Sequence, residues 1–287
     1  MGFPPGGLPQ ILLFVPFYTP ADQQRREEIL RALSQNLSIA EFARIILLVD
    51  DGIEPPQLAD HAQVLAVEHF PMRPTFADWI LAARRHAPPG SLVLCANSDI
   101  SFPAGLALSL ARELPRDSGA FLACSRHELP QPGEQAPRLR SMSHRSQDAW
   151  GLWADELDRL DSAHLRDLAI PFGEPRCDGR VSFIFHIRGW DLFNPCRRLV
   201  LCHHHSAVER SYDGYGTNLL GGVCYVHPNR RPGQRSALEL DLYTLSPRHP
   251  LLLGCNRMLI GQRLPSRGRL WAIRLERLWH RLRGHDR

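Results

Sequence analysis

The sequence predicts an α/β fold, a mostly parallel sheet with helices on both faces. Three observations predict it. Short runs at 11–15, 45–49, 64–67, 92–96, 120–124 and 199–202 are apolar at successive positions. Strands that are apolar on both sides belong to a sheet covered on both faces, and such sheets are typically parallel. Helix-period segments lie between several of these runs, which implies right-handed crossovers. Finally, 287 residues with 44% hydrophobic and 22% charged side chains are enough for one large domain and too apolar for a disordered chain.

The elements follow in order. The first helix is expected at 20–36. Thr19, Pro20, Ala21 and Asp22 read as its capping start, with Pro20 at the first helical position, and Ile29, Leu30 and Leu33 form an inward stripe. Further helices are expected at about 75–86, 104–113, 154–168 and 179–188. Residues 128–140 are rich in Pro and polar groups and read as a surface loop. Residues 212–235, with several Gly and Tyr and then an Arg/Pro-rich stretch, read as a mobile loop. No internal repeat or clean linker is present. The simplest division is a flexible N-terminus at 1–10, one domain at 11–263 and an extension at 264–287.

That extension is basic and amphipathic. Seven arginines fall between Arg267 and Arg287, while Trp271, Leu275, Leu278 and Leu282 follow helical spacing. A helix of this kind suits an anionic membrane surface, and it equally suits packing on the domain or on another subunit.

Composition excludes several chemistries. All 34 basic residues are arginine, so mechanisms that need a lysine amine are ruled out, including a Walker A loop and a Schiff base. Net charge is +4 and the basic residues gather in one tail without an interleaved aromatic platform, which argues against nucleic acid as a partner. No apolar run reaches the roughly 18 residues of a membrane span. The N-terminus lacks the pattern of a secretory signal, and a cytoplasmic location is expected. The seven cysteines are scattered without a CxxC pair and read as buried free thiols rather than a zinc site.

The candidate chemistry sits where strands end. The runs finish in Val15-Pro16-Phe17-Tyr18, Val49-Asp50-Asp51-Gly52 and Cys95-Ala96-Asn97-Ser98-Asp99. In open α/β sheets, ligands bind beyond the carboxyl ends of the strands. Pro16, Tyr18, Asp50, Asp51, Asn97 and Asp99 are therefore expected on one edge. Carboxylates there suit a nucleoside's base or ribose, or a hard divalent cation on a diphosphate. Further on, Asp178 lies near a helix start, where a cap or a favourable charge at the dipole is the simplest role. The run Cys202-His203-His204-His205 offers His203 and His205 on one face of a strand as metal ligands.

This ordered set resembles the nucleotide-sugar glycosyltransferases of the GT-A fold, particularly family 2, over residues 10 to about 210. Pro16-Phe17-Tyr18 looks like the family's Pro-x-Tyr start, and Val49-Asp50-Asp51-Gly52 is similar to its nucleotide-binding segment. Asn97-Ser98-Asp99 stands where the family has its Asp-x-Asp metal motif, and Cys177-Asp178 where it has a Glu-Asp pair. His203 or His205 falls where it often carries a histidine near the metal. Two positions depart from the pattern, Asn97 and Cys177, where the family has carboxylates. The resemblance implies a Rossmann-like GT-A sheet and inverting transfer from a nucleoside-diphosphate sugar. The acceptor would be a glycan or lipid-linked glycan, in bacterial surface-polysaccharide synthesis at the inner face of the membrane. It implies Asp178 as base, Mg²⁺ or Mn²⁺ on Asp99 with His203 and His205, and Asp50 or Asp51 on the base or ribose. Arg210 would contact the diphosphate. Arg126, Asp148 and Trp150 would face the sugar or acceptor, with core packing as the other role for Trp150. The loop from 212 would close as a lid.

Three other readings remain open. A non-catalytic nucleotide- or carbohydrate-binding protein on the same fold would accommodate Asn97 and Cys177. A sugar nucleotidyltransferase shares the α/β plan but relies on an early Gly-rich phosphate loop with basic residues. A dinucleotide or SAM enzyme needs glycines after the first strand, and residues 16–22 have none.

Overall fold

The computed structural model describes residues 9–50, 65–114, 116, 119–130, 135–205, 219, 222–229 and 235–241. Residues 1–8, Asp51, Arg210, Cys255, most of the 212–235 loop and the C-terminal helix lie outside the described residues.

The first half of the domain contains β1 (Ile11–Phe17), α1 (Gln23–Leu37), β2 (Phe42–Asp50), β3 (Leu65–Phe70), α2 (Phe76–His86), β4 (Leu92–Ala96), β5 (Ile100–Ser101) and α3 (Leu106–Glu113). Then come β6 (Ala120–Cys124), β7 (His127–Glu128), β8 (Arg138–Leu139), β9 (Ala149–Trp153), α4 (Ser162–Asp167) and α5 (Cys177–Ile187). The last described strands are β10 (Asp191–Phe193), β11 (Cys202–His203), β12 (Val223–Val226) and β13 (Leu238–Asp241).

A seven-stranded sheet runs in the order β10-β6-β9-β4-β1-β2-β3. Every pairing in it is parallel except those of β9, which runs antiparallel between β4 and β6. A small sheet, β5-β11-β7-β8, stands beside it, and β12 pairs with β13 as a separate antiparallel ribbon.

The continuous apolar runs are explained by two cores, one on each face. Leu12, Phe14, Ile46, Leu48, Val93 and Cys95 pack with Phe76, Trp79 and Ile80 of α2 and with Val181, Phe183 and Ile184 of α5. The alternate residues Ile11, Leu13, Val15, Ile45, Leu47 and Leu94 pack with Ile29 and Leu33 of α1 and with Leu106 and Leu110 of α3. Each such side chain contributes roughly 1.5–3 kcal/mol of burial, so both faces must be covered for the sheet to persist. None of the six described cysteines is disulfide-bonded.

Several boundaries differ from the expectation. Helix α1 begins at Gln23, because Asp22 is its cap and accepts from the Arg25 backbone N–H at 2.6 Å; Pro20 precedes the helix. The segment 154–168 is not one helix. It is a 3₁₀ turn at Ala154–Arg159 followed by α4, which Asp161 caps. Arg84 reaches across from α2 and donates to the Leu157 and Leu160 carbonyls, so this stretch satisfies backbone acceptors by tertiary contact. The apolar run 199–202 yields only the two-residue β11; Leu199 and Leu201 are buried just before it, and the Leu201 carbonyl accepts from the His127 N–H of β7 at 2.6 Å. Within 128–140, β8 pairs with β7. Helix α5 opens at Cys177, two residues early.

Candidate active site

Strands β1, β2, β4 and β6 run in the same direction, so their carboxyl ends share one edge, and β9 begins there. The structure therefore brings Pro16, Tyr18, Asp50, Asn97, Asp99, Arg126 and Asp148 to that edge. Asp178 joins them, because its carboxylate accepts from the Gln147 backbone N–H at 3.3 Å, one residue from Asp148. Pro16 and Tyr18 are half-buried at the end of β1. Asp50 closes β2, and its Oδ1 is buried with no hydrogen-bond partner among the described residues.

A chain of charged contacts crosses the edge. Asn97 Nδ2 donates to Asp148 Oδ1 at 3.2 Å, and the Asn97 backbone N–H donates to the Asp148 carbonyl at 3.0 Å. Arg126 Nη1 donates to the same Asp148 oxygen at 3.0 Å, and its Nε donates to Glu128 at 3.1 Å. Glu128 Oε2 meets His203 Nδ1 at 2.8 Å, and His203 Nε2 meets Asp99 Oδ2 at 3.1 Å. Arg25 Nη2 donates to that same Asp99 oxygen at 2.7 Å, while Arg25 Nη1 lies 2.9 Å from His205 Nδ1 and 3.1 Å from Glu28.

This network sets protonation. Burial works against charge on Asp99, but the His203 hydrogen bond and the charges of His203 and Arg25 outweigh it and hold its carboxyl well below the usual range. Burial likewise opposes the Arg25 charge, and Asp99 more than restores it. The His203 hydrogen bond brings Glu128 down to about 2, and burial opposes that change without reversing it. For His203, burial is outweighed by hydrogen bonds to Asp99 and Glu128, so its pKa is raised. His205 is lowered, by burial and then by the Arg25 and His203 charges. Asp178 behaves oppositely to Asp99: burial, with a smaller contribution from the Asp148 charge, pushes it up to about 6 against its backbone hydrogen bonds.

Asp99, His203 and His205 each offer a ligand atom within 4.8 Å of the others. The donor set fits a divalent cation, and His203 has its second ring nitrogen anchored on a carboxylate, as metal-bound histidines usually do. Two imidazoles favour Mn²⁺ or a later transition metal over Mg²⁺. Arg25 contacts two of the three ligand residues, so its guanidinium and a bound cation compete for the same oxygen.

One sequence expectation is corrected and another is narrowed. Trp150 is fully buried in β9, with its ring edge-on to Phe76 at 4.9 Å, so it packs the core and offers no face to a sugar. Of the two roles expected for Asp178, the cap falls to Arg176, in a left-handed conformation, and Asp178 sits in the first turn, the place of a favourable dipole charge. Arg126 and Asp148 are committed to each other in an ion pair. The sequence reading passed over Arg25, Glu28 and Glu128. Arg25 was detectable, since it falls four residues before Ile29 on the stripe that continues to Leu33, and a charge on an inward face needs a buried partner. Glu128 gave no such signal, because a two-residue strand carries no periodicity.

No family model and no curated protein matches the sequence. Among solved structures, the chain is similar to GalNAc-T7, crystallised with UDP, GalNAc and Mn²⁺, at 12% identity over 68% of this chain and 44% of that one, with a TM-score of 0.47. It is also similar to S. aureus TarS 1–349 in complex with UDP-GlcNAc, at 12% identity over 72% of this chain and 62% of that one, with a TM-score of 0.48. The chain thus aligns to less than two thirds of either protein. The seven-stranded, mostly parallel sheet with helices on both faces agrees with the GT-A class that the strand-end motifs resemble.

Proposed function

We propose that this chain is a nucleotide-sugar-dependent glycosyltransferase acting by direct displacement at the anomeric carbon. One observation supports it most. A half-buried carboxylate poised near neutral pH, Asp178, shares the carboxyl edge of a parallel sheet with the Asp99–His203–His205 cluster. A base and an anion-neutralising centre are the two parts that transfer from a nucleoside diphosphate needs.

In this reading Asp178 takes the proton of the acceptor hydroxyl as that oxygen attacks. Its raised pKa makes it a stronger base than an ordinary carboxylate while leaving it mostly ionised at pH 7. The Gln147 and Gly179 backbone N–H groups fix its two oxygens, at 3.3 and 2.8 Å. Asp50, whose Oδ1 has no hydrogen-bond partner among the described residues, or its sequence neighbour Asp51 holds the base or ribose, with Tyr18 and Pro16 contributing from the end of β1. Arg126 and Asp148 set the floor on which the sugar rests, with Asn97 joined to Asp148. Asp99, His203 and His205 would hold a divalent cation, which when bound would supply positive charge to offset that of the leaving diphosphate. Arg25 is the resident positive charge at the same place, and Arg210 is a further candidate for the diphosphate. The acceptor is a glycan or lipid-linked glycan in bacterial polysaccharide synthesis, reached from an anionic membrane surface through the helix at 264–287. No helix among the described residues is long and apolar enough to cross a membrane.

The deciding experiment is a thermal-shift panel of UDP, GDP, CMP and dTDP, each with and without Mn²⁺ and Mg²⁺. A ligand bound only by the native state raises Tm. A shift with one nucleotide, followed by release of sugar from the matching donor and its loss in Asp178→Asn, supports the reading. A shift without donor turnover favours a non-catalytic binding protein, and no shift with any nucleotide removes both. For the tail, deletion of 265–287 should abolish sedimentation with anionic liposomes.

A further inference from the structure

A second group of ligand-type side chains is built from elements that the edge does not use. His144 lies in the 3₁₀ turn Ser143–Arg145, His227 directly follows β12, and Glu239 lies in β13. One ligand atom from each falls within 4.8 Å of the others. His144 Nε2 and His227 Nε2 lie 3.9 and 3.6 Å from the same oxygen, Glu239 Oε2. The two imidazoles are stacked, with centroids 4.3 Å apart and planes 7° from parallel. These separations are too long for hydrogen bonds, so the three groups are juxtaposed without bonding one another.

We propose that His144, His227 and Glu239 form a Zn²⁺ site that ties the β12–β13 ribbon to the turn preceding Gln147. The chemistry favours zinc, since two imidazoles and a carboxylate are its ligands and poor ones for Mg²⁺ or Ca²⁺. So does the spacing. Bonds of about 2.0–2.2 Å place the ligand atoms of a tetrahedral site about 3.3–3.5 Å apart, within a small side-chain rotation of the observed distances. The two rings are near-parallel, so binding would turn them out of their stack to bring both Nε2 lone pairs to one point. Three protein ligands leave the fourth position to water. The consequence for the fold is specific. Gly179, beside Asp178, packs against Val223 of β12, and Gln147, three residues after His144, donates to Asp178. The site would therefore fix both neighbours of that carboxylate. The proposal stands independently of the glycosyltransferase reading.

The test uses the full chain, stripped with EDTA and titrated with Zn²⁺ by calorimetry and with Co²⁺ by visible absorption. One equivalent, beyond any held at the Asp99 cluster, should bind with the absorption of tetrahedral Co²⁺ and raise Tm. His227→Gln and Glu239→Gln should each weaken that equivalent by at least about tenfold, since even residues that only orient a metal ligand are worth about 10- to 100-fold. Asp99→Asn should leave it in place. Absence of binding, retention in both His227→Gln and Glu239→Gln, or loss in Asp99→Asn overturns the proposal, the last by assigning the metal to the other cluster. Both deciding variants replace half-buried side chains, and circular dichroism of the stripped proteins verifies that they fold. His144→Ala is therefore not required.

Discussion

Arg25 Nη2 lies 2.7 Å from Asp99 Oδ2, joining the first turn of α1 to the turn after β4 across 74 residues of sequence. The oxygen that accepts from Arg25 is also the one that meets His203. One carboxylate thus serves both Arg25 and His203 at the edge where nucleotide binding is proposed.

Removing that carboxylate leaves Arg25 and His203 without their shared partner. Arg25 keeps Glu28 and His203 keeps Glu128, so Asp99→Asn is expected to cost about 2 kcal/mol, below the full penalty of a buried ion pair broken from one side. Urea denaturation at pH 7 measures this, and a loss below about 1 kcal/mol would show that solvent reaches the pair and screens it.

Removing the guanidinium has a different readout. Arg25→Met takes a positive charge away from two candidate metal ligands, and Mn²⁺ affinity should rise roughly tenfold or more. Titration of free Mn²⁺ by electron paramagnetic resonance reports it. Weaker binding in the variant would mean that Arg25 organises the ligands instead of competing for them.

Asp178 predicts a pH profile. With its pKa raised to about 6, kcat/KM should climb with pH through that value and then level off, and Asp178→Asn should lose about 10²- to 10⁴-fold in kcat. Stability runs the other way. The folded pKa lies above the usual carboxylate value, so the native state holds the proton more tightly, and this contribution is present at low pH and lost as pH rises through about 6. Above that pH, Asp178→Asn should be more stable than the parent, on the order of 1–2 kcal/mol after screening of a part-exposed group. Paired melts at pH 4 and pH 8 would refute this if the difference did not grow with pH.

Gly151 tests the antiparallel insertion of β9. A Cβ built there meets Leu94 Cδ2 at 2.6 Å and the Val93 carbonyl at 2.9 Å. Gly151→Ala should destabilise by about 1–3 kcal/mol, as overpacking does, with no change in the pH profile of activity. An unchanged denaturation midpoint would show that β4 and β9 are not held as closely as described.

Asn194 joins β6 to β12. Its Oδ1 accepts from the Ser125 N–H at 3.1 Å, and its Nδ2 donates to Ser125 Oγ at 2.8 Å and to the Val226 carbonyl at 2.7 Å. Asn194→Ala strands these buried groups and should cost about 2 kcal/mol or more in chemical denaturation.

Much of this architecture could be read in advance. The apolar runs that became β1, β2, β4 and β6 are buried along their lengths, and only a sheet covered on both faces needs Leu12 and Leu13 to be equally apolar. The helices near 20–36 and 75–86 were legible from their spacing, but their caps were not: α1 starts after Asp22 rather than at Pro20, and Thr75 caps α2. Pro16, Asp50 and Asn97 fell on one edge because parallel strands carry their ends in the same direction.

What the sequence by itself determined was therefore whatever depends on neighbours in the chain: strand and helix identity, the parallel sheet, and the edge to which Asp50 and Asp99 belong. Only the tertiary structure decided which charges meet there. The antiparallel entry of β9 buries Trp150 and delivers Asp148 to Arg126, and the crossing of α1 carries Arg25 to Asp99 and His205. Such pairings obey no sequence period. They depend on how separate elements pack, where the energy of a contact depends on distance in space and not on separation along the chain.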